Sequence, residues 1–144
     1  PSVRASTLLN SLLELPGARV GKAAVCDGEL QVRVRLRRRR LRCPQCPFTT
    51  RHRYDTREVD SSWRHLDMGG RVCRILLRRR RLRCPAHGVL AESVPFARPD
   101  SRHTRDFEDL VRAVRSGPRS LPLASRPSPT HLPAPYRDPA GPVD

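Results

Sequence analysis

The chain is short of lysine, of aromatic residues and of long apolar runs. Lys22 is its only lysine, so nearly all of its 29 basic residues are arginine. Aromatics make up 4% of the sequence, which argues against a large apolar core. A small domain with little core needs another source of stability, and a bound metal is one. No apolar run approaches the roughly 18 residues of a membrane-spanning helix, so no membrane partner is expected. Residues 5–15 are weakly apolar but carry Glu14 and lack a cleavable-signal pattern. A cytoplasmic setting is the expectation. The first residue is Pro, which leaves an incomplete or processed start open. Acidic residues number only 14, so the formal net charge is +15. That excess calls for an anionic partner, with nucleic acid ahead of a membrane surface. Five cysteines do not pair into a complete disulfide set. In a reducing compartment, closely spaced pairs such as Cys43/Cys46 point to metal.

What the chain does have is a repeat. The string LRRRRLRCP occupies residues 36–44 and again residues 77–85. The first copy closes as C-P-Q-C and the second as C-P-A-H. Zinc takes four N or S ligands in a tetrahedron. Cys43, Cys46, Cys84 and His87 form two pairs, each spaced so that one tight turn aims both side chains inward. Four protein ligands close the site, so its role is structural. Gly88 follows the second pair, but Pro47 follows the first. Pro has no N–H to give a ligating sulfur, which predicts a weaker first knuckle. His52 and His65 are rival ligands and are expected on the surface instead. Cys26 and Cys73 lie in strand-like runs and are expected to be small buried hydrophobes.

The pattern around these motifs predicts a small α+β fold. Ser6 caps a helix over residues 7–15, with Leu8, Leu9, Leu12 and Leu13 on one face, and Pro16-Gly17 ends it. Residues 20–25 and 30–42 read as a β-hairpin about Asp27-Gly28. In the second run Leu30, Val32, Val34 and Leu36 alternate with polar residues, placing Arg33, Arg35, Arg37 and Arg39 on the outer face. Gly69-Gly70 marks a turn, residues 72–83 a second long strand and residues 89–94 a short one. Thr104 caps a further helix with the stripe Phe107, Leu110, Val111 and Val114. Eight of the fifteen prolines fall between positions 118 and 142, and disorder is expected there. The resulting division is an N-terminal helix and first strand (1–29), a zinc ribbon (30–97), the start of a helical module (98–116) and a disordered tail (117–144).

A shared metal would bring the two arginine runs side by side. Arg37, Arg38, Arg39, Arg40, Arg78, Arg79, Arg80 and Arg81 are the candidate DNA contacts, through backbone phosphates. Aromatics do not interleave with the runs, which favours duplex over single-stranded DNA.

These motifs resemble the N-terminal region of insertion-sequence transposases of the ISL-three type. The likeness rests on C-P-x-C, R-Y-D-T-R (53–57), W-R-H-L-D-x-G-G (63–70), R-x-R-C-P-x-H-G and T-R-D-F-E-D-L-V (104–111), over roughly residues 6–113. The resemblance implies a zinc ribbon, a helix-turn-helix module and a catalytic domain with three metal-binding carboxylates. It also implies binding of terminal inverted repeats, in a bacterial, nucleoid-associated setting. After about residue 113 the sequence departs from the family, which reads as truncation or a frameshift before the catalytic domain. Asp138 and Asp144, in the proline-rich tail, do not make a catalytic set, so no enzyme activity is expected. Intact transposase and self-association are further partners that the resemblance admits. A stand-alone zinc-ribbon adaptor and a decayed reading frame are the alternatives.

Overall fold

The computed structural model describes residues 4–117. All but the first residue of the expected disordered tail lies outside them. The fold is small α+β, as expected. Helix α1 (Ala5–Leu13) opens it, two residues earlier than predicted. Arg4, not Ser6, is the N-cap, and it makes no side-chain cap. Of the leucine face, Leu13 is buried and Leu9 packs on the core, while Leu8 and Leu12 face solvent. Asn10 Oδ1 accepts a hydrogen bond from Val20 N at 2.8 Å and ties the helix to the first strand.

Four strands form the main sheet: β1 (Ala18–Cys26), β2 (Glu29–Leu36), β6 (Ser61–Met68) and β7 (Arg71–Leu77). Their order is β1-β2-β7-β6, with β2 and β7 parallel and the other pairs antiparallel. Asp27 and Gly28 both have positive φ, as do Gly69 and Gly70, which suits the two tight hairpin turns. The first hairpin joins β1 to β2 across the position where residues 1–29 were expected to end. Val20, Val32, Val34, Trp63, Cys73, Ile75 and Leu77 are buried on one face. Leu13, Leu15, Val94, Phe96 and Ala97 cover that face. Gly17 (φ 65°) is required in the covering loop, because a Cβ there would lie 2.6 Å from Pro95 Cγ.

Below the sheet sits a second, smaller core of Leu41, Cys43, Leu82 and Cys84. Strands β3 (Leu41–Arg42) and β4 (Thr49–Thr50) pair around it. A three-stranded sheet of β5 (Asp55–Thr56), β8 (Arg80–Cys84) and β9 (Gly88–Ala91) completes it, in the order β5-β8-β9.

The two long basic strands of the sequence reading are each broken. The first stops at Leu36 and resumes at Leu41; the second stops at Leu77 and resumes at Arg80. The cause is packing. Leu36 and Leu77 pack with the sheet core, whereas Leu41 and Leu82 belong to the small core. Residues five apart on an unbroken strand point to opposite faces. Each LRRRRL string is therefore a crossover between two cores, with a leucine anchored in each.

Helix α2 (Arg105–Arg115) follows, and Thr104 Oγ1 caps it by accepting from Phe107 N at 3.3 Å. His65 is buried, not on the surface, and its Nδ1 lies 2.8 Å from Thr104 Oγ1. None of the predicted apolar stripe on α2 is fully buried. Among the described residues no helix is long and apolar enough to cross a membrane.

Candidate metal centre and basic surface

Strand β3 delivers Cys43, and β8 delivers Cys84. Cys43 N donates to Phe48 O at 2.9 Å, closing the first knuckle. Cys84 pairs with Gly88 across the second, where Gly88 takes φ 77°. The ligand atoms of Cys43, Cys46, Cys84 and His87 all lie within 4.8 Å of one another. A tetrahedron with Zn–S arms of about 2.3 Å and a Zn–N arm of about 2.0–2.1 Å has edges of roughly 3.8 Å (S to S) and 3.6 Å (S to N). The observed Cys46–Cys84 edge is 3.5 Å, and His87 Nδ1 lies 3.5 Å from Cys84 Sγ and 3.8 Å from Cys43 Sγ. The donor set and its dimensions fit a structural Zn²⁺. Neither His52 nor His65 joins the group.

The thiols are not equivalent. Burial alone would raise Cys84, but bonds with the His87 side chain, the Ala86 and His87 backbone and Cys46 bring it down to about 6. At Cys46 the Phe48 backbone bond lowers the pKa, yet burial and the neighbouring thiols outweigh it and leave it raised. The Phe48 backbone thus supplies a contact beside the position where Pro47 cannot. Cys73 is buried as expected, and burial pushes its thiol up to about 11. Cys26 is exposed, because it ends β1 at the hairpin turn, beyond the covered part of the sheet.

Residues 49–87 match a family model described as the zinc-finger of transposase IS204/IS1001/IS1096/IS1165. This segment is similar to that family's zinc ribbon. The matched segment holds Cys84 and His87; Cys43 and Cys46 precede it and are brought in by the fold. No curated protein and no solved structure matches the chain. The match to a transposase zinc-finger and the four clustered ligands together describe a structural zinc-binding module.

Above the ribbon, the two arginine runs lie against each other. Parallel pairing of β2 with β7 aims both the same way. Arg80 Nη1 and Nη2 then donate to the carbonyls of Arg39 (3.3 Å) and Arg38 (3.4 Å). The eight side chains do not form one uniform patch. Arg80 makes a two-point pair with Glu92, at 2.9 and 2.8 Å, and Glu92 is only 1% exposed. Arg79 Nε donates to Ser61 Oγ at 2.9 Å, and its guanidinium lies over Trp63. Arg81 pairs with Asp55, which holds that carboxyl below its usual range. Arg38 reaches Ser93, and burial lowers its pKa. Arg37, Arg39, Arg40 and Arg78 are exposed. Arg37 Nε donates to Ala18 O at 3.3 Å, and Arg78 has a loose contact with Asp60 at 3.6 Å. The side chains of Arg39 and Arg40 have no hydrogen-bond or ion-pair partner among the described residues.

Three participants escaped the sequence reading. Glu92 was one signal in plain view, since it shares the inward phase of Leu90 and Val94. Tyr54 and Trp63 lie outside the runs in sequence, yet arginines from the second copy cover both rings. Arg81 and Arg83 stand 5.7 and 5.2 Å from the Tyr54 centroid, and Arg79 stands 5.5 Å from that of Trp63. Aromatics thus do meet the basic surface in space.

Proposed function

We propose that this chain is a zinc-dependent DNA-binding module of a transposase that grips duplex DNA at the transposon ends. The observation that carries the reading is the juxtaposition of two arginine runs over one metal-fixed ribbon. Arg37, Arg39, Arg40 and Arg78 are the phosphate contacts, because their heads are exposed. Arg38, Arg79, Arg80 and Arg81 hold the two runs in place. Zinc, bound by Cys43, Cys46, Cys84 and His87, fixes the small core from which both crossovers start. Helix α2 opens the helical module that supplies sequence preference, since phosphate contacts position a protein but do not read bases.

The test is a duplex titration over a range of salt, with zinc measured on the same sample. Four phosphate contacts give a log–log slope of about −3.6. Zinc removal should abolish the salt-dependent binding. A slope near zero, or equal binding by the zinc-free chain, overturns the reading. Equal affinity for inverted-repeat and random duplex removes the transposon-end part alone. Tighter binding to structured RNA would favour a stand-alone adaptor.

A further inference from the structure

A cleft of about 360 Å³ opens between the sheet and the ribbon. It is separate from the exposed arginines of the DNA-binding reading. Arg79, Arg98 and Arg102 line it, together with Ser61 and Ser62. Asp100 is the one acid in its wall.

Arg79 is the centre of the argument. Its Nε is held by Ser61 Oγ and its guanidinium lies over Trp63, so its position is fixed. Burial, followed by the neighbouring Arg57, lowers its pKa; Glu92 and Asp100 pull the other way without compensating. No carboxylate forms an ion pair with it among the described residues. A half-buried cation without a direct counter-ion is costly, and an anion in the cleft would relieve that cost. Ser61 Oγ already accepts from Arg57 (3.3 Å) and Arg79 (2.9 Å), which leaves its own proton to donate. Arg98 spends its Nε on Glu108 at 3.2 Å and retains its terminal nitrogens. Arg102 has no side-chain partner among the described residues. The turn that presents Arg98 and Arg102 is closed by Ser101 N donating to Arg98 O at 3.2 Å. Asp100 sits within it at φ 61°, a left-handed turn conformation that Asp tolerates better than most residues.

We infer that this cleft is a phosphate site sized for a nucleotide. Three guanidinium groups and two hydroxyls outnumber the single acid. Guanidinium forks match phosphate oxygens in geometry. The volume falls in the range of small-molecule sites, roughly 300–1,000 Å³, so the phosphate enters with its sugar attached. The source is either a free nucleotide or the phosphorylated terminus of a DNA strand.

Calorimetric titration of the full zinc-loaded chain tests this, with a deoxynucleoside 5′-monophosphate, inorganic phosphate and the unphosphorylated deoxynucleoside as probes. The monophosphate should bind and the nucleoside should not. Inorganic phosphate should bind more weakly than the monophosphate. Arg102→Gln, at the exposed rim, should weaken monophosphate binding roughly ten-fold or more, the effect of one charged hydrogen bond. Arg35→Gln removes the same charge from the outer face of β2 and should leave the binding unchanged. Equal losses in the two variants, or no difference between monophosphate and nucleoside, overturn the proposal. A short duplex with and without a 5′-phosphate separates the sources. A preference for the phosphorylated end that Arg102→Gln abolishes assigns a strand terminus. Monophosphate binding without that preference assigns a free nucleotide. No duplex binding by the unaltered chain, with monophosphate binding present, would sink the DNA-binding reading and leave this one standing.

Discussion

Arg39 and Arg80 occupy the same place in the two LRRRRLRCP strings, yet they should respond oppositely to substitution. Arg80 is joined to Glu92 by two hydrogen bonds of 2.9 and 2.8 Å, and its own N–H donates to the same carboxylate at 3.2 Å. The Glu92 side chain is 1% exposed and that of Arg80 26%. Arg80→Met leaves that carboxylate buried without its cation. Breaking a buried pair from one side costs about 3–5 kcal/mol. With a urea m-value of about 2 kcal/mol per molar, the midpoint falls by roughly 1.5–2.5 M. Arg39→Met removes an exposed head with no partner and should cost less than about 0.5 kcal/mol. The double variant Arg80→Met/Glu92→Met should recover much of the loss, because no unpaired charge remains. Urea unfolding in zinc-saturated buffer reads all four chains without mixing in metal release. Duplex affinity should run the other way: Arg39→Met flattens the salt slope by about 0.9, while folded Arg80→Met keeps it. Equal destabilisation by the two single variants would refute this assignment of roles within the repeat.

Cys84→Ser should abolish stoichiometric zinc and expose the amides of β3, β8 and β9 to hydrogen exchange; full zinc content in that variant would remove Cys84 from the ligand set. Gly17→Ala should lose about 1–3 kcal/mol, since it combines a left-handed φ with a 2.6 Å approach to Pro95; unchanged urea stability would show that the 14–17 loop shifts freely. Burial lowers the pKa of His65 below its ordinary 6.5, and Asp106 offsets this only in part. The unfolded chain therefore takes up its proton first as pH falls. The contribution of neutral His65 is whole above about pH 6.5 and is lost as pH drops toward the folded pKa. Wild type and His65→Gln, compared from about pH 5 to 7.5 so that proton uptake at the zinc ligands cancels, should diverge at the acid end; parallel curves would contradict it.

Local chemistry was legible in the sequence, and long-range packing was not. The metal group follows from spacing alone, because a two-residue gap inside each knuckle forces a turn. The Thr104 cap and the Asp27-Gly28 and Gly69-Gly70 turns follow from what those residues do to their own backbone. His65 misled for the opposite reason: only its packing beneath Thr104, 39 positions later, removes it from water. Likewise the parallel β2–β7 pair joins residues whose neighbourhood no local pattern records.

The basic repeat shows where such a signal lay unread. Alternation carried the strand prediction through Leu36 and into the arginines, although Arg38 and Arg40 already fall off its outer face. Leu36 and Leu41 cannot both face inward on one straight strand, and neither can Leu77 and Leu82. That odd spacing demands a break, and the same spacing in two copies demands two cores. Once the runs are crossovers, their arginines need not be equivalent, because each copy meets a different side of the junction. The second copy, Arg78 excepted, is matched by Glu92, Asp55, Ser61 and Trp63. The first copy lies mostly outside, with Arg38 turned inward onto Ser93 and Arg37 Nε on Ala18 O. Identical strings thus differ in surroundings: most of the second copy fastens the ribbon to the sheet, while Arg39 and Arg40 of the first leave their charge exposed.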